Sequence, residues 1–266
     1  MKQTAFFGMF LLCAAWCAAA PLRVVSLAPA ITETIYSLGA GKCLVGRSSA
    51  CDTPVEAKNL PVCGDFAIAD VEKILLCHPD CVLTHTLVNA SARNALARAG
   101  IKVYALPCDS VGDYRAMVRK LGELLDCRPA AEREIARVDE NSLLWKSLPR
   151  NNRKTLVVVW DQPLVVAGEG TFCYDLLDLA GEKGVDFKGE KGFFMPDSEY
   201  LLQNDPDVIL AFFPAAELSR HAVLRTLRAV RENRVISLAG MDIFQRPSPR
   251  WCGAVTSLRK LFKELK

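Results

Sequence analysis

The side chains that could do chemistry in this chain are mostly cysteines. The 266-residue sequence has 11 cysteines and three histidines, His78, His85 and His221. The segment 77–81 (CHPDC) places thiols and an imidazole close together, but no second matching pair completes a tetrahedral zinc site. The motifs G-x-S-x-G and H-E-x-x-H, which mark common nucleophile and metalloprotease sites, are absent from the sequence. These patterns argue against a metal centre and against catalysis.

The N-terminal residues have the pattern of a signal peptide. Lys2 is followed by the apolar segment 5–16 and then by the small residues around 17–20. Pro21 directly after the cut would hinder cleavage, so we expect cleavage after Ala19, which makes residues 1–19 the signal peptide. The expected location of the mature protein is the periplasm.

The cysteines predict disulfides in the exported chain. Two of the 11 lie in the leader, where Leu12 and Trp16 precede them instead of the small residues that lipidation needs. The other nine would meet an oxidising compartment, so some should pair. Nine is an odd number, so at least one thiol stays free or pairs between chains. Five of the nine fall within residues 43–81, which favours local pairs there and leaves the connectivity open.

Composition limits the remaining classes of function. Apolar residues make up 51% of the chain, and 266 residues suffice for two lobes of ordinary size. The net charge is +3, and no basic run supports binding to nucleic acid. After the leader, no apolar stretch is long enough to span a membrane. We therefore expect neither a nucleic-acid partner nor a membrane-spanning segment in the mature chain, and we expect the chain to be a monomer.

The elements that must position any site follow a βα rhythm. Residues 23–41 (RVVSLAPAITETIYSLGAG) predict a strand, a turn at Pro29, a helix and a glycine stop. Residues 110–147 interrupt the rhythm as two helices separated near Pro129, and the second of them contains no glycine. The rhythm then resumes, with a predicted loop at 161–170 and a single predicted helix at 217–230.

The two halves repeat one plan. Residues 71–85 (VEKILLCHPDCVLTH) and 198–212 (SEYLLQNDPDVILAF) share a helix, a turn and a strand, with Glu72 and Glu199 in matching places. The predicted fold is α/β: two Rossmann-like βα lobes joined by one long rigid helix. We divide the mature chain into an N-terminal lobe at 20–126, an inter-lobe helix at 127–149 and a C-terminal lobe at 150–266.

Several blocks resemble the helical-backbone class of ABC-importer solute-binding proteins. They are RVVSLAPAITETIYSLGAG, VEKILLCHPDCVL with GIKVYALP, SEYLLQNDPDVILA, and NRVISL with FQRPSPR. That class carries vitamin B12, haem or ferric siderophores in a cleft between the lobes and delivers them to a permease and its ATPase. The resemblance implies a carrier with no permanent cofactor, and it favours a corrinoid ligand. A haem or ferric-siderophore binder is the alternative.

The resemblance also implies the ligand-binding residues, which are Ala50, Phe66, His85, Trp160, Phe193, Asp242 and Arg246. Phe66 and Phe193 keep aromatic rings where the corrinoid binders have tryptophan. His85 stands in place of a further tryptophan, and its imidazole could serve as an axial ligand to cobalt or iron. Only one arginine occurs among these positions, which counts against an anionic siderophore.

Docking on the permease is implied for Glu72 and Glu199. In the class, one glutamate on each lobe pairs with permease arginines, and a carboxylate can accept such charge-assisted contacts. The alternative is that both are ordinary helix N-terminal glutamates, which the helix dipole favours.

Overall fold

A computed structural model of the chain describes residues 21–66, 68–86 and 88–265, so the predicted signal peptide lies outside the described residues. The strands are β1 (Val24–Ser26), β2 (Leu44–Arg47), β3 (Gly64–Asp65), β4 (Ile68–Ala69), β5 (Cys81–Thr84), β6 (Lys102–Ala105), β7 (Lys154–Asp161), β8 (Leu164–Ala167), β9 (Lys183–Gly184), β10 (Phe193–Phe194), β11 (Val208–Ala211) and β12 (Val235–Ser237). The helices are α1 (Pro29–Ser37), α2 (Val71–Leu76), α3 (Ala90–Arg98), α4 (Val111–Leu124), α5 (Arg128–Ser147), α6 (Phe172–Ala180), α7 (Ser198–Asn204), α8 (Ala215–Leu218), α9 (Arg228–Arg231) and α10 (Trp251–Glu264).

The N-terminal lobe is built on a parallel sheet in the order β2-β1-β5-β6. Val24 and Val25 are fully buried, as expected for a central strand covered on both faces. Pro29 opens α1, where its missing N–H costs no intrahelical hydrogen bond. Ile31 and Ile35 bury the inner face of α1. Because α1 begins three residues after the end of β1, its N-terminus lies at the carboxyl edge of the sheet.

The C-terminal lobe has a mixed sheet in the order β10-β8-β7-β11-β12, with β9 beside β7. β7, β11 and β12 are parallel, whereas β8 and β10 run antiparallel to their neighbours. The prediction of a loop over 161–170 is therefore wrong in its middle. The apolar run Leu164–Ala167 turns back at Pro163 and pairs with β7, which buries Val166 and Ala167 completely.

The long helix α5 lies between the lobes in sequence and packs on both. Its 20 residues correspond to a length of about 30 Å. Ala131, Ile135, Val138 and Trp145 form its buried face. A Cβ on Gly122 would lie 2.5 Å from the Cβ of Ala131, so the close approach of α4 to α5 requires glycine there.

One hydrophobic cluster extends from one lobe into the other, and each lobe also has a separate cluster of its own. One cluster of buried side chains contains Ile31 of α1, Trp145 of α5 and Trp251 of α10. The rings of Trp145 and Trp251 meet edge to face at 5.6 Å, and Trp251 meets Phe172 at 6.4 Å. The predicted α/β fold of two lobes joined by a long helix is confirmed. The limits 20–126, 127–149 and 150–266 remain our proposed division of the chain.

The prediction of one helix over 217–230 is wrong. The chain forms α8, a 3₁₀ turn at Leu224–Thr226 and then α9. Leu218, Leu224 and Leu227 are all buried in one cluster, and a straight helix could not direct all three toward it. His221 assists the break, because its Nδ1 accepts the backbone N–H groups of Val223 and Leu224, both at 3.3 Å.

The disulfides expected from the sequence are not present among the described residues. In this structure the nine cysteines of the described residues are unpaired: Cys43, Cys51, Cys63, Cys77, Cys81, Cys108, Cys127, Cys173 and Cys252. The Sγ atoms of Cys63 and Cys77 lie 3.4 Å apart, which is a contact distance and not the roughly 2.05 Å of a bond. No helix in the described part of the chain is both long and apolar enough to cross a membrane.

Candidate ligand-binding cleft

A cavity of about 430 Å³ lies between the two lobes. Part of its wall comes from segments that follow parallel strands: Pro29 after β1, Asp109 after β6 and Phe212 after β11. Ligands of open α/β sheets bind at this carboxyl edge. The lining residues are Ala28, Pro29, Ala30, Ala50, Phe66, His85, Cys108, Asp109, Val159, Phe172, Cys173, Phe193, Phe212, Gln245, Arg246 and Pro247.

Four phenylalanines give the cavity its aromatic walls. Phe172 is buried and Phe212 is partly buried, so they form the inner surface. Phe66 from the N-terminal lobe and Phe193 from the C-terminal lobe are about half exposed, at 51% and 56%, and form the rim. Exposed aromatic faces of this kind are suited to stacking on a flat ligand.

His85 is oriented by a carboxylate at the cavity wall. Its Nε2 lies 3.1 Å from Oδ1 of Asp109. An ionised carboxylate only accepts hydrogen bonds, so Nε2 must be the donor. In the neutral imidazole, Nδ1 then keeps a lone pair. Metal-ligating histidines commonly have such a partner on the nitrogen that does not bind the metal.

Arg246 lies in the wall, but its charge is already neutralised. Its Nη1 is 2.8 Å from Asp242, 3.1 Å from Asp52 and 3.7 Å from Glu33. Partial burial raises the pKa of Asp52, but the hydrogen bond and charge of Arg246 outweigh burial and leave that pKa below its ordinary value. Arg250 donates two hydrogen bonds, of 2.8 and 2.9 Å, to the carboxylate of the buried Glu33. The hydrogen bond to Glu33 raises the pKa of Arg250. These pairs join the N-terminal lobe to the C-terminal lobe at one end of the cavity.

The structure brings most of the predicted ligand-binding residues together. Those that line the cavity are Ala50, Phe66, His85, Phe193 and Arg246. Asp242 is not a lining residue, but its carboxylate lies 2.8 Å from Nη1 of Arg246. Trp160 is placed elsewhere: it is 60% exposed, its indole N–H donates to the carbonyl of Gln162, and its neighbour Val159 lines the cavity.

Sequence reasoning missed several wall residues. Asp109, Phe172 and Phe212 were not singled out, although Phe212 comes directly after β11 and Asp109 follows β6 by four residues. Position after a parallel strand was the available signal, because such residues gather at one edge of the sheet. Gln245 was not named by itself, although it lies between Asp242 and Arg246, which were both assigned to the cleft.

Each lobe carries a rim phenylalanine and an exposed glutamate on one short segment. We call residues 63–77 the N-lobe rim segment and residues 187–204 the C-lobe rim segment. Phe66 precedes Glu72 by six residues, and Phe193 precedes Glu199 by six. Both glutamates are exposed at the second position of a helix. The rim of the cleft and the two exposed carboxylates are therefore linked by a few residues of chain in each lobe.

The two helices are capped in the same way. The side chain of Asp70 accepts the N–H of Lys73 at 3.1 Å, and that of Asp197 accepts the N–H of Tyr200 at 2.7 Å. Each cap satisfies a backbone donor that the first helical turn leaves free. The two glutamates are thus presented from helices with matching starts.

Comparison with known proteins agrees with this architecture. The profile of a family described as periplasmic binding protein matches residues 24–240. The vitamin B12-binding protein of Vibrio parahaemolyticus is 24% identical over 257 residues, which span 92% of this chain and 90% of that protein. The crystal structure of the periplasmic vitamin B12-binding protein of Vibrio cholerae is similar with a TM-score of 0.74 at 24% identity, covering 91% of this chain and 97% of that one.

A haem carrier has the same fold. The crystal structure of the periplasmic haem-binding protein of Vibrio cholerae is similar with a TM-score of 0.80 at 18% identity, covering 91% of this chain and 98% of that chain. At these identities the likeness to solved structures shows a common fold. The ligand of this chain must therefore be inferred from its own cleft.

Proposed function

The chain belongs to the periplasmic binding protein family, and from that premise we propose that it captures a corrinoid in the periplasm and delivers it to an ABC importer. Members of this family bind solutes and are not enzymes. The observation that carries the choice of ligand is the neutralised Arg246 in an aromatic cleft. The predicted signal peptide supports export.

Charge in the cleft favours a ligand without carboxylates. Arg246 is the one lysine or arginine among the described lining residues, and three carboxylates already share its Nη1 atom. The carboxylates of haem or of an anionic siderophore would find this arginine already paired with Asp52, Asp242 and Glu33, and uncompensated charge is costly to desolvate. The peripheral amides of a corrinoid are neutral and can exchange hydrogen bonds with such a wall.

Haem is the second candidate, and His85 is the observation that favours it. The contact with Asp109 leaves the lone pair of Nδ1 available to iron. The same atom could bind the cobalt of a corrinoid that lacks its own lower base. A substitution at His85 therefore separates metal ligation from the choice of macrocycle.

The ligand is tested by parallel titrations of the purified protein with cyanocobalamin, cobinamide and haemin. Visible absorption and tryptophan fluorescence report binding. We expect both corrinoids to bind at least about tenfold more tightly than haemin, a difference of about 1.4 kcal/mol. Tighter binding of haemin than of either corrinoid would overturn the proposed ligand. His85→Ala should change the spectrum of bound cobinamide if Nδ1 ligates the metal, and should leave it unchanged if it does not.

A charge variant tests the physical reason for this preference. Asp52→Asn/Asp242→Asn releases Arg246 from two of its partners and should shift the haemin-to-cobinamide affinity ratio toward haemin by roughly tenfold. Asp126→Asn/Asp139→Asn removes the same charge from surfaces outside the cleft and should leave the ratio unchanged. An equal shift in both variants would mean that net charge, and not the freed arginine, decides the ratio.

We further propose that Glu72 and Glu199 bind arginines of the permease. Each glutamate lies three residues before an exposed leucine, Leu75 at 38% and Leu202 at 48% exposure. Residues three apart lie on the same side of a helix. Each lobe thus presents a carboxylate beside an apolar side chain, a combination that suits an arginine and its apolar surroundings on a partner.

Docking is tested by separating ligand binding from transport. Glu72→Ala/Glu199→Ala should keep its ligand affinity and reduce uptake, or the stimulation of the importer ATPase, by more than about tenfold. Glu140→Ala/Glu264→Ala removes two exposed glutamates elsewhere and should leave both measurements unchanged. Uptake at the level of this control in the first variant would exclude the docking role while leaving the ligand proposal intact.

A further inference from the structure

Two buried thiols meet at the ends of the N-lobe rim segment. The Sγ atoms of Cys63 and Cys77 are 3.4 Å apart, and the side chains are 0% and 9% exposed. Cys63 lies just before β3 and Cys77 caps the end of α2. In the described part of the chain, no other two cysteines are hydrogen-bonded to one another.

The neighbouring strand leaves space for the two sulfur atoms. A Cβ on Gly46 of β2 would lie 2.5 Å from Sγ of Cys63 and 3.3 Å from Sγ of Cys77. Real side chains do not approach as closely as 2.5 Å. The missing side chain at Gly46 is therefore what allows both thiols to occupy one pocket under the sheet.

We propose that Cys63 and Cys77 form a disulfide bond in the exported protein. The two thiols release two protons and two electrons as their sulfur atoms join. A thiol–disulfide oxidase of the export compartment accepts the electrons, and its own disulfide is reduced to two thiols. The exchange passes through a mixed disulfide between the oxidase and one of the two cysteines.

The bond forms while the chain is folding, before the pocket closes. Burial, together with the nearby Cys77, raises the pKa of Cys63 to about 12 in the folded protein. The thiolate is the attacking species, so the folded, reduced pair reacts slowly. An oxidase that meets the unfolded chain finds both thiols accessible and with ordinary acidity.

The bond would enclose the part of the N-terminal lobe that contacts ligand and partner. The two cysteines are 14 positions apart, and both Phe66 and Glu72 lie between them. Closing a loop of about 15 residues lowers the entropy of the unfolded chain enough to favour the folded state by about a hundredfold. The remaining cysteines lie elsewhere: Cys108 and Cys173, for example, contact backbone carbonyls of the C-terminal lobe.

The test maps the cysteines of the full chain after export. The protein is collected from the periplasm, denatured in iodoacetamide and digested with trypsin without reductant. Cleavage after Lys58, Lys73 and Arg93 puts Cys63 in peptide 59–73 and Cys77 in peptide 74–93, together with Cys81. We expect these two peptides to be joined, with the alkyl group on Cys81.

Matched variants and a refolding arm make the outcome decisive. Cys77→Ser should abolish the cross-link and Cys81→Ser should preserve it. Reductant should lower the folded-to-unfolded ratio of the wild type about a hundredfold and should not affect Cys63→Ala/Cys77→Ala. Chain made in a reducing cytoplasm and refolded with oxidised glutathione should form the same link even if export fails. Alkylation of both cysteines in exported and refolded protein, or a link from either to another cysteine, would overturn the proposal.

Discussion

The two rim segments each expose a phenylalanine and a glutamate, but different interior contacts, which we call anchors, hold the two segments in place. In the C-lobe rim segment, Phe187 meets Phe194 edge to face at 5.0 Å and Tyr200 at 5.9 Å. The Tyr200 hydroxyl also donates to the carbonyl of Asp186, and Lys188 lies over its ring. In the N-lobe rim segment, the corresponding support is the thiol pair under Gly46.

The difference shows which features of a duplicated plan are constrained. The spacing from Phe to Glu and the aspartate caps recur in both lobes, and the phenylalanines and glutamates at that spacing are exposed. The supporting groups, which are the Phe187 cluster and the thiol pair, face the interior. There, different kinds of packing can hold the segment in place equally well. An aromatic cluster depends on buried area, whereas a thiol pair depends on redox state. The two rims should therefore respond to different perturbations.

The largest expected effect is the loss of the aromatic anchor. Phe187→Ala should lower the free energy of unfolding by about 3 to 5 kcal/mol, because Phe187 is buried and leaves a cavity between Phe194 and Tyr200. Urea denaturation measures the change. Phe66→Ala removes an exposed ring of the other rim and should cost less than about 1 kcal/mol while weakening ligand binding. Equal losses in the two variants would mean that the anchor and the rim are not separate.

The next effect tests the thiol pocket. Gly46→Ala should lower the free energy of unfolding by about 1 to 3 kcal/mol, because its methyl group would overlap Cys63. Gly253→Ala, on α10, is the matched control: its nearest neighbour would be Ile243 at 3.9 Å, and alanine should be neutral or slightly stabilising there. A stable Gly46→Ala protein would show that the pocket can expand.

The third effect depends on pH. The pKa of Cys63 is raised from 9.0 to about 12 in the folded, reduced protein, so the folded state holds its proton more tightly than the unfolded state. Its contribution to stability is complete below pH 9 and is lost as the pH rises toward 12, at most about tenfold in the unfolding equilibrium per pH unit. The oxidised protein has no such proton. Denaturation at pH 8 and pH 10 should therefore show a larger stability gap between oxidised and reduced protein at pH 10; a constant gap would contradict this.

The smallest expected effect concerns the aspartate caps that the two rim segments share. Asp70→Ala and Asp197→Ala each remove a side-chain acceptor from the first turn of a helix. Each should lower the folded-to-unfolded ratio about fivefold, measured by thermal or urea denaturation. Asp70→Asn and Asp197→Asn keep an acceptor and should recover most of the loss. Markedly unequal costs would mean that the anchors influence the caps as well.

The sequence predicts the parts of the fold whose cause is local. Pro29 after two valines predicts a strand followed by a helix, and Pro129 predicts the start of the long helix; both occur. The segment 217–230 fails because Leu218, Leu224 and Leu227 turn toward one core that the local pattern does not reveal. Helix propensity is a weak guide where tertiary burial competes with it.

The site is predictable to the degree that it follows the sheets. Phe66, His85 and Phe193, which the resemblance assigns to the ligand-binding cleft, line one cavity. Trp160 is displaced because β8 pairs back on β7 with an irregular register near it. Two of the three carboxylates around Arg246 come from distant parts of the chain: Glu33 is 213 positions away and Asp52 is 194 positions away. Asp242 is only four positions away, and no local pattern predicts that the other two join it.

The contact between Trp145 and Trp251 has a consequence for thermal unfolding. Trp145 and Trp251 belong to one hydrophobic cluster that contains residues of both lobes. Arg250 of the C-terminal lobe also donates a hydrogen bond to Glu33 of the N-terminal lobe. Separating one lobe from the other would expose both indole rings and leave the buried carboxylate of Glu33 without its partner. Calorimetry should accordingly record a single cooperative heat-absorption peak, with neither half surviving as an independent folded fragment.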